Sequence, residues 1–110
     1  MVIVRIDTRR ITDWDAFHDV FAEAFGFPDF YGRNGNAWID YMGYLDDPEA
    51  GMTSVHVAAG EVLTVQLDDV ADLRERFREA YDEIIECSAF VNWRRIEMGC
   101  PPVLAISFYK

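Results

Sequence analysis

The order strand, helix, helix, strand, helix, helix, strand predicts an α/β fold: a small, largely parallel three-stranded sheet packed with about four helices, its crossovers right-handed. Two observations carry this prediction. Apolar runs at residues 2–7, 61–67 and 103–109 have the length and composition of strands, and between them apolar side chains recur at steps of three and four. The 110 residues hold one domain, 1–110, with no internal repeat, linker or low-complexity tract.

Residues 2–7 are apolar at Val2, Ile3, Val4 and Ile6 and interrupted only by Arg5, the pattern of a mostly buried strand. Thr12 or Asp13 then caps a helix bearing Trp14, Phe17, Phe21, Ala24 and Phe25 on its core stripe, and Gly26 followed by Pro28 ends it. His18, one turn after Trp14, reads as a partly exposed face residue. Asn34-Gly35 is a strong hairpin signal, but a strand ending there would have to contain Pro28, Gly32 and Arg33. A second helix from near Asn34 fits better, with Trp38, Met42 and Leu45 inward and Asn36, Ile39, Asp40 and Gly43 on the other face.

Asp46-Asp47-Pro48 stops that helix, and the Asp, Pro, Gly and Ala-rich stretch to residue 60 leaves room for a brief strand at 54–57. After the second strand, Asp68 and Asp69 cap a third helix extending to about residue 86, with Val70, Leu73, Phe77, Ala80 or Tyr81, and Ile84 inward. Ser88 caps a fourth helix to about Met98, with Phe90, Trp93 and Ile96 as core positions. Gly99 and Pro101-Pro102 end it before the last strand.

Twenty Asp and Glu against nine Arg and one Lys give a net charge of −10, which repels nucleic acid and anionic lipid and attracts cationic partners. The N-terminus has no basic region leading into a long apolar run, and no stretch approaches the roughly 20 apolar residues of a membrane span. Cys87 and Cys100 are too few for a disulfide framework. A soluble, cytoplasmic protein is expected. His18 and His56 lie in no metal-ligand spacing, and no phosphate-binding glycine loop or nucleophile elbow is present. Neither metal nor cofactor is expected, and catalysis by paired carboxylates has only the abundance of acids behind it.

The stretch Phe27-Pro28-Asp29-Phe30-Tyr31-Gly32-Arg33-Asn34-Gly35-Asn36-Ala37-Trp38-Ile39-Asp40 stands out, because it places aromatics and a carboxylate on a loop and helix start. Asp40, one turn after Asn36 and beside Ile39, combines a charge for a cation with an apolar anchor. On pattern alone, a solvated Asp40 with Ile39 at the core's edge accounts for the same residues.

That stretch resembles the signature of the barstar family, cytoplasmic inhibitors of ribonucleases. The resemblance implies a non-enzymatic immunity protein, as in toxin–antitoxin pairs, that plugs the active site of a cationic ribonuclease in a one-to-one complex as a monomer. It implies that Asp40 occupies the enzyme's phosphate site, with Phe30, Tyr31, Gly32, Asn34, Asn36, Ile39 and Gly43 in the contact surface. Asn36 stands where the best-known member has an acid, and Ile39 where it has a tryptophan. Arg78-Glu79-Ala80 resembles the family's acidic contact on the fourth helix, but the predicted order puts it in the third, leaving Arg95 or Glu97 nearer by position. An interaction module for another basic protein, or a small hydrolase using Asp40 as acid or base, are the other readings.

Overall fold

The computed structural model describes residues 1–110. Strands β1 (Val2–Asp7), β2 (Leu63–Asp68) and β3 (Leu104–Phe108) form one parallel sheet in the order β1-β2-β3. Val2 pairs with Leu63, and Leu63 with Leu104. Parallel strands laid down in chain order need two crossovers, and crossovers of one hand fall on one face of the sheet. The burial pattern agrees. Val2, Val4 and Ile6, with Leu63, Val65 and Leu67, point into the core, whereas Ile3 and Arg5 are exposed beside Thr64 and Gln66. The first strand is therefore half-buried, not mostly buried as its near-continuous apolar run suggests.

Helix α1 (Trp14–Phe25) is capped by Asp13, whose carboxylate accepts from the Ala16 N–H at 2.7 Å, and it stops at Gly26 in the left-handed region at φ 67°. Helix α2 (Gly35–Met42) follows the loop, and no hairpin forms at Asn34-Gly35. Leu45 lies just beyond α2 and is fully buried. Residues 54–57 join no sheet. They are held instead by the Ser54 N–H on the Phe25 carbonyl (2.8 Å) and the Val57 N–H on the Leu45 carbonyl (3.0 Å).

Helices α3 (Val70–Arg76) and α4 (Arg78–Glu97) depart most from expectation. The break falls at Phe77, whose φ of −146° and ψ of 67° leave the helical region, and not near Ser88. Phe77 is half-buried against Trp14, their rings 5.1 Å apart edge to face, so packing on α1 turns the chain where no Gly or Pro does. Nothing between Arg78 and Glu97 breaks a helix, so α4 runs through Ser88, whose hydroxyl is buried without a partner. Starting ten residues early also resets the phase. Ile84, Cys87, Val91 and Arg95 face inward, while Phe90, Trp93 and Ile96, expected in the core, are exposed.

Arg95 is a buried clasp. Its guanidinium donates to both Asp46 carboxylate oxygens (3.0 and 2.7 Å), to the Gly43 carbonyl at the end of α2 (2.8 Å) and to the Pro101 carbonyl (2.9 Å). One side chain thereby joins α2, α4 and the approach to β3. Replacing Arg95 by Ala strands Asp46 and two carbonyls, and urea unfolding is expected to show a loss of about 3–5 kcal/mol. A loss under about 1 kcal/mol, the range of an exposed ion pair, refutes the clasp.

Candidate functional site

The loop before α2 is shaped by which of two adjacent aromatics it buries. The Tyr31 N–H closes a turn onto the Pro28 carbonyl at 2.9 Å. Tyr31 is 7% exposed and packs among Phe27, Tyr41 and His18, its hydroxyl 2.7 Å from His18 Nδ1. Phe30 is left at the tip of the turn, 69% exposed. Tyr31 thus supports the surface from below. His18, expected to be partly exposed, is buried because Tyr31 and Phe17 cover it.

Arg33 adopts a left-handed backbone, φ 52°, and its guanidinium folds back onto Asp15 (2.7 Å) and Asp19 (2.9 Å) of α1. The one cation of the stretch is neutralised there. Asn34 caps α2: its side-chain oxygen accepts from the Ala37 N–H at 2.8 Å while its amide donates to the Gly32 carbonyl at 3.2 Å. Gly35 lets α4 approach, since a Cβ on it would lie 3.3 Å from a Glu83 carboxylate oxygen and 3.8 Å from Cys87 Sγ.

Trp38, Tyr41 and Met42 bury the inner face of α2, so Asn36 and Asp40 are exposed and Ile39 and Gly43 half-buried on the outer face. The Asp40 side chain takes part in no ion pair or hydrogen bond. Among the five acids from Asp29 to Glu49 only Asp46 is ion-paired, to Arg95, so Asp29, Asp40, Asp47 and Glu49 form an unneutralised field. Ile39, Asp40 and Gly43 also line a groove of about 150 Å³ with Tyr44 and, from α4, Val91, Arg94, Arg95 and Met98; Arg94 is exposed there and forms no ion pair with Asp40. Asp40 is the groove's only carboxylate, so the acid–base pair that a carboxylate hydrolase needs is not assembled in it.

The early start of α4 corrects the placement of Glu79. Arg78-Glu79-Ala80 opens α4, and Glu79 lies one turn before Glu83, the residue that meets the N-terminus of α2. Glu79 is exposed and unpaired, Arg95 is committed to its clasp, and Glu97 is exposed at the opposite end of the helix. The signal was the tripeptide itself, masked by the wrong helix boundary.

Two buried groups titrate abnormally. Burial, together with the Glu83 carboxylate beside it, pushes the Cys87 thiol up to about 12, and it forms no disulfide with the exposed Cys100. Desolvation lowers the His18 pKa, with the Arg33 cation acting in the same direction and Glu83, Asp15 and Asp19 opposing it. Because His18 binds its proton more weakly folded than unfolded, its stabilising contribution is complete above its ordinary value of 6.5 and is lost as pH falls through the depressed folded value. Urea unfolding from pH 7.5 down to 5 is expected to show stability falling on acidification, with a shallower fall in His18→Gln. Equal slopes in the two proteins contradict this assignment.

A family model described as Barstar (barnase inhibitor) matches residues 1–98. The comparison with curated proteins finds no match. With the three-stranded parallel sheet, the four helices and a match over nearly the whole chain, this protein belongs to the barstar family of barnase-type ribonuclease inhibitors.

Proposed function

We propose that this protein is a cytoplasmic immunity protein that blocks a cationic ribonuclease, one enzyme molecule per chain, by inserting the outer face of α2 into its active site. The observation that carries this reading is Asp40: exposed, unpaired and fixed on a helix anchored at both ends. A ribonuclease site gathers Arg, Lys and His to hold phosphate, and a fixed carboxylate satisfies the same donors. Against a surface without such donors, desolvating Asp40 costs several kcal/mol with no return, which gives selectivity.

Around Asp40, Phe30 supplies an apolar anchor, Gly32 lets backbone approach, and Asn36, Ile39 and Gly43 form the neighbouring contact surface. Asn34 and Tyr31 hold that surface in shape. Glu79 adds a second acid from α4. With Asn36 and Ile39 in place of an acid and a tryptophan, the surface carries less charge and less aromatic area than the family's best-known member, which points to a ribonuclease with a correspondingly different rim.

The test titrates the protein against barnase and against any basic ribonuclease encoded beside its gene. Asp40→Ala is expected to weaken inhibition by about 2–5 kcal/mol, roughly 30-fold to several thousand-fold, a range that itself draws on the barnase–barstar pair. Its urea midpoint should match the parent's, since the Asp40 side chain makes no hydrogen bond or ion pair within the chain. Full inhibition by Asp40→Ala would remove Asp40 from the mechanism. The association rate is expected to fall steeply with added salt, as steering by an unneutralised field requires.

A further inference from the structure

Arg94 is the one arginine of this chain without a partner. Seven of the nine arginines form ion pairs within the chain, and Arg74 lies over the Tyr81 ring at 5.8 Å. Arg94, exposed on α4, makes no side-chain hydrogen bond, ion pair or ring contact, although the chain holds 20 acids. Its place gives this meaning. Val91, Arg94 and Met98 recur at steps of three and four along α4 and its cap, so they share the face that closes the groove at Asp40. On an inhibitor of a cationic enzyme, a free cation beside the central carboxylate opposes the field that draws the enzyme in. The opposition becomes attraction where the enzyme brings an anion to it.

The groove itself indicates what enters. Its volume of about 150 Å³ lies below the roughly 300–1,000 Å³ of small-molecule sites, which suits one side chain of a docked protein. Ile39, Tyr44, Val91 and Met98 make its walls apolar, and Gly43 adds no side chain to fill it. Ile39, Asp40 and Gly43 belong both to this groove and to the proposed contact surface, so an enzyme seated on α2 reaches the groove in the same docking step.

We propose, resting on the inhibitory role above, that the groove receives an apolar side chain from the rim of the ribonuclease and that Arg94 pairs with a carboxylate beside it. Arg94 is then a specificity-determining residue. Among cationic ribonucleases it favours those with an acid at this point of the rim, and against the others it is an unpaired cation facing cations, which discriminates by repulsion.

Calorimetric titration with barnase and with the basic ribonuclease encoded beside the gene tests this, circular dichroism confirming that each variant is folded. Against whichever enzyme the parent chain binds more tightly, Arg94→Glu is expected to weaken binding roughly tenfold, although it makes the inhibitor more acidic. Exchanging one Asp or Glu on that enzyme's rim for Lys is expected to weaken the parent and restore Arg94→Glu. A purely solvated Arg94 gives the opposite sign, since the added acid then tightens binding to a cationic enzyme; that result overturns the proposal, as does the absence of any rim exchange that restores the variant. Exposed Cys100 also lines the groove, whereas Cys87 is buried with its thiol pushed up to about 12, so iodoacetamide reports on Cys100. Its labelling is expected to slow roughly tenfold when enzyme covers the groove. Labelling at the free rate in an inhibited complex overturns the proposal and leaves the inhibitory role standing, whereas a parent chain that binds neither enzyme overturns both.

Discussion

Three parallel strands in chain order constrain everything else in this molecule. The sheet has helices on one face only, so it provides a single wall of the core, and the opposite wall must be assembled from α1, α2, α4 and the aromatic loop. Helix α2, eight residues long, is too short to be stable alone. It exists because Asn34 caps one end, Arg95 holds the Gly43 carbonyl at the other, and Trp38 and Met42 are buried beneath it. The outer face is free to carry a surface because the inner face carries the fold.

Local signals were legible where they agreed with the tertiary structure. Asp13, Gly26 and Asn34 mark helix ends through side-chain capping and a left-handed backbone, both properties of a few consecutive residues. The break at Phe77 was not legible, because its cause is Trp14, more than sixty residues away in the chain. A good capping residue at Ser88 then suggested a boundary that the uninterrupted helix overrides, and the core positions assigned after it followed the wrong phase. Arg95 could not be recognised as a clasp, since two of its three partners, Gly43 and Asp46, lie 52 and 49 residues away in the chain. The position of Asp40 was readable from helical spacing; that the neighbouring acids are unpaired while Arg33 is drawn away to α1 required the folded chain.

The acids divide into two populations. Those at Asp7, Asp15, Asp19, Asp68 and Asp72 sit beside arginines: Asp68 ties β2 to Arg5 of β1, Asp15 and Asp19 tie α1 to Arg33 of the loop before α2, and Asp7 and Asp72 pair locally with Arg9 and Arg76. Those on the loop, α2 and the stretch after it are left mostly without partners, and their mutual repulsion weakens the fold to a small extent. Cations brought by another molecule relieve that repulsion, so docking recovers an electrostatic cost that folding left standing.

The left-handed turn at Arg33 has a kinetic meaning. A flexible guanidinium two residues before the start of α2 could swing across and pair with Asp40, and every encounter would then wait for that internal pair to open. Locked to Asp15 and Asp19 by its backbone geometry, Arg33 cannot compete. Arg94, which lines the groove beside Asp40, forms no ion pair with it either, so the carboxylate is open when an enzyme arrives and no internal pair has to break first.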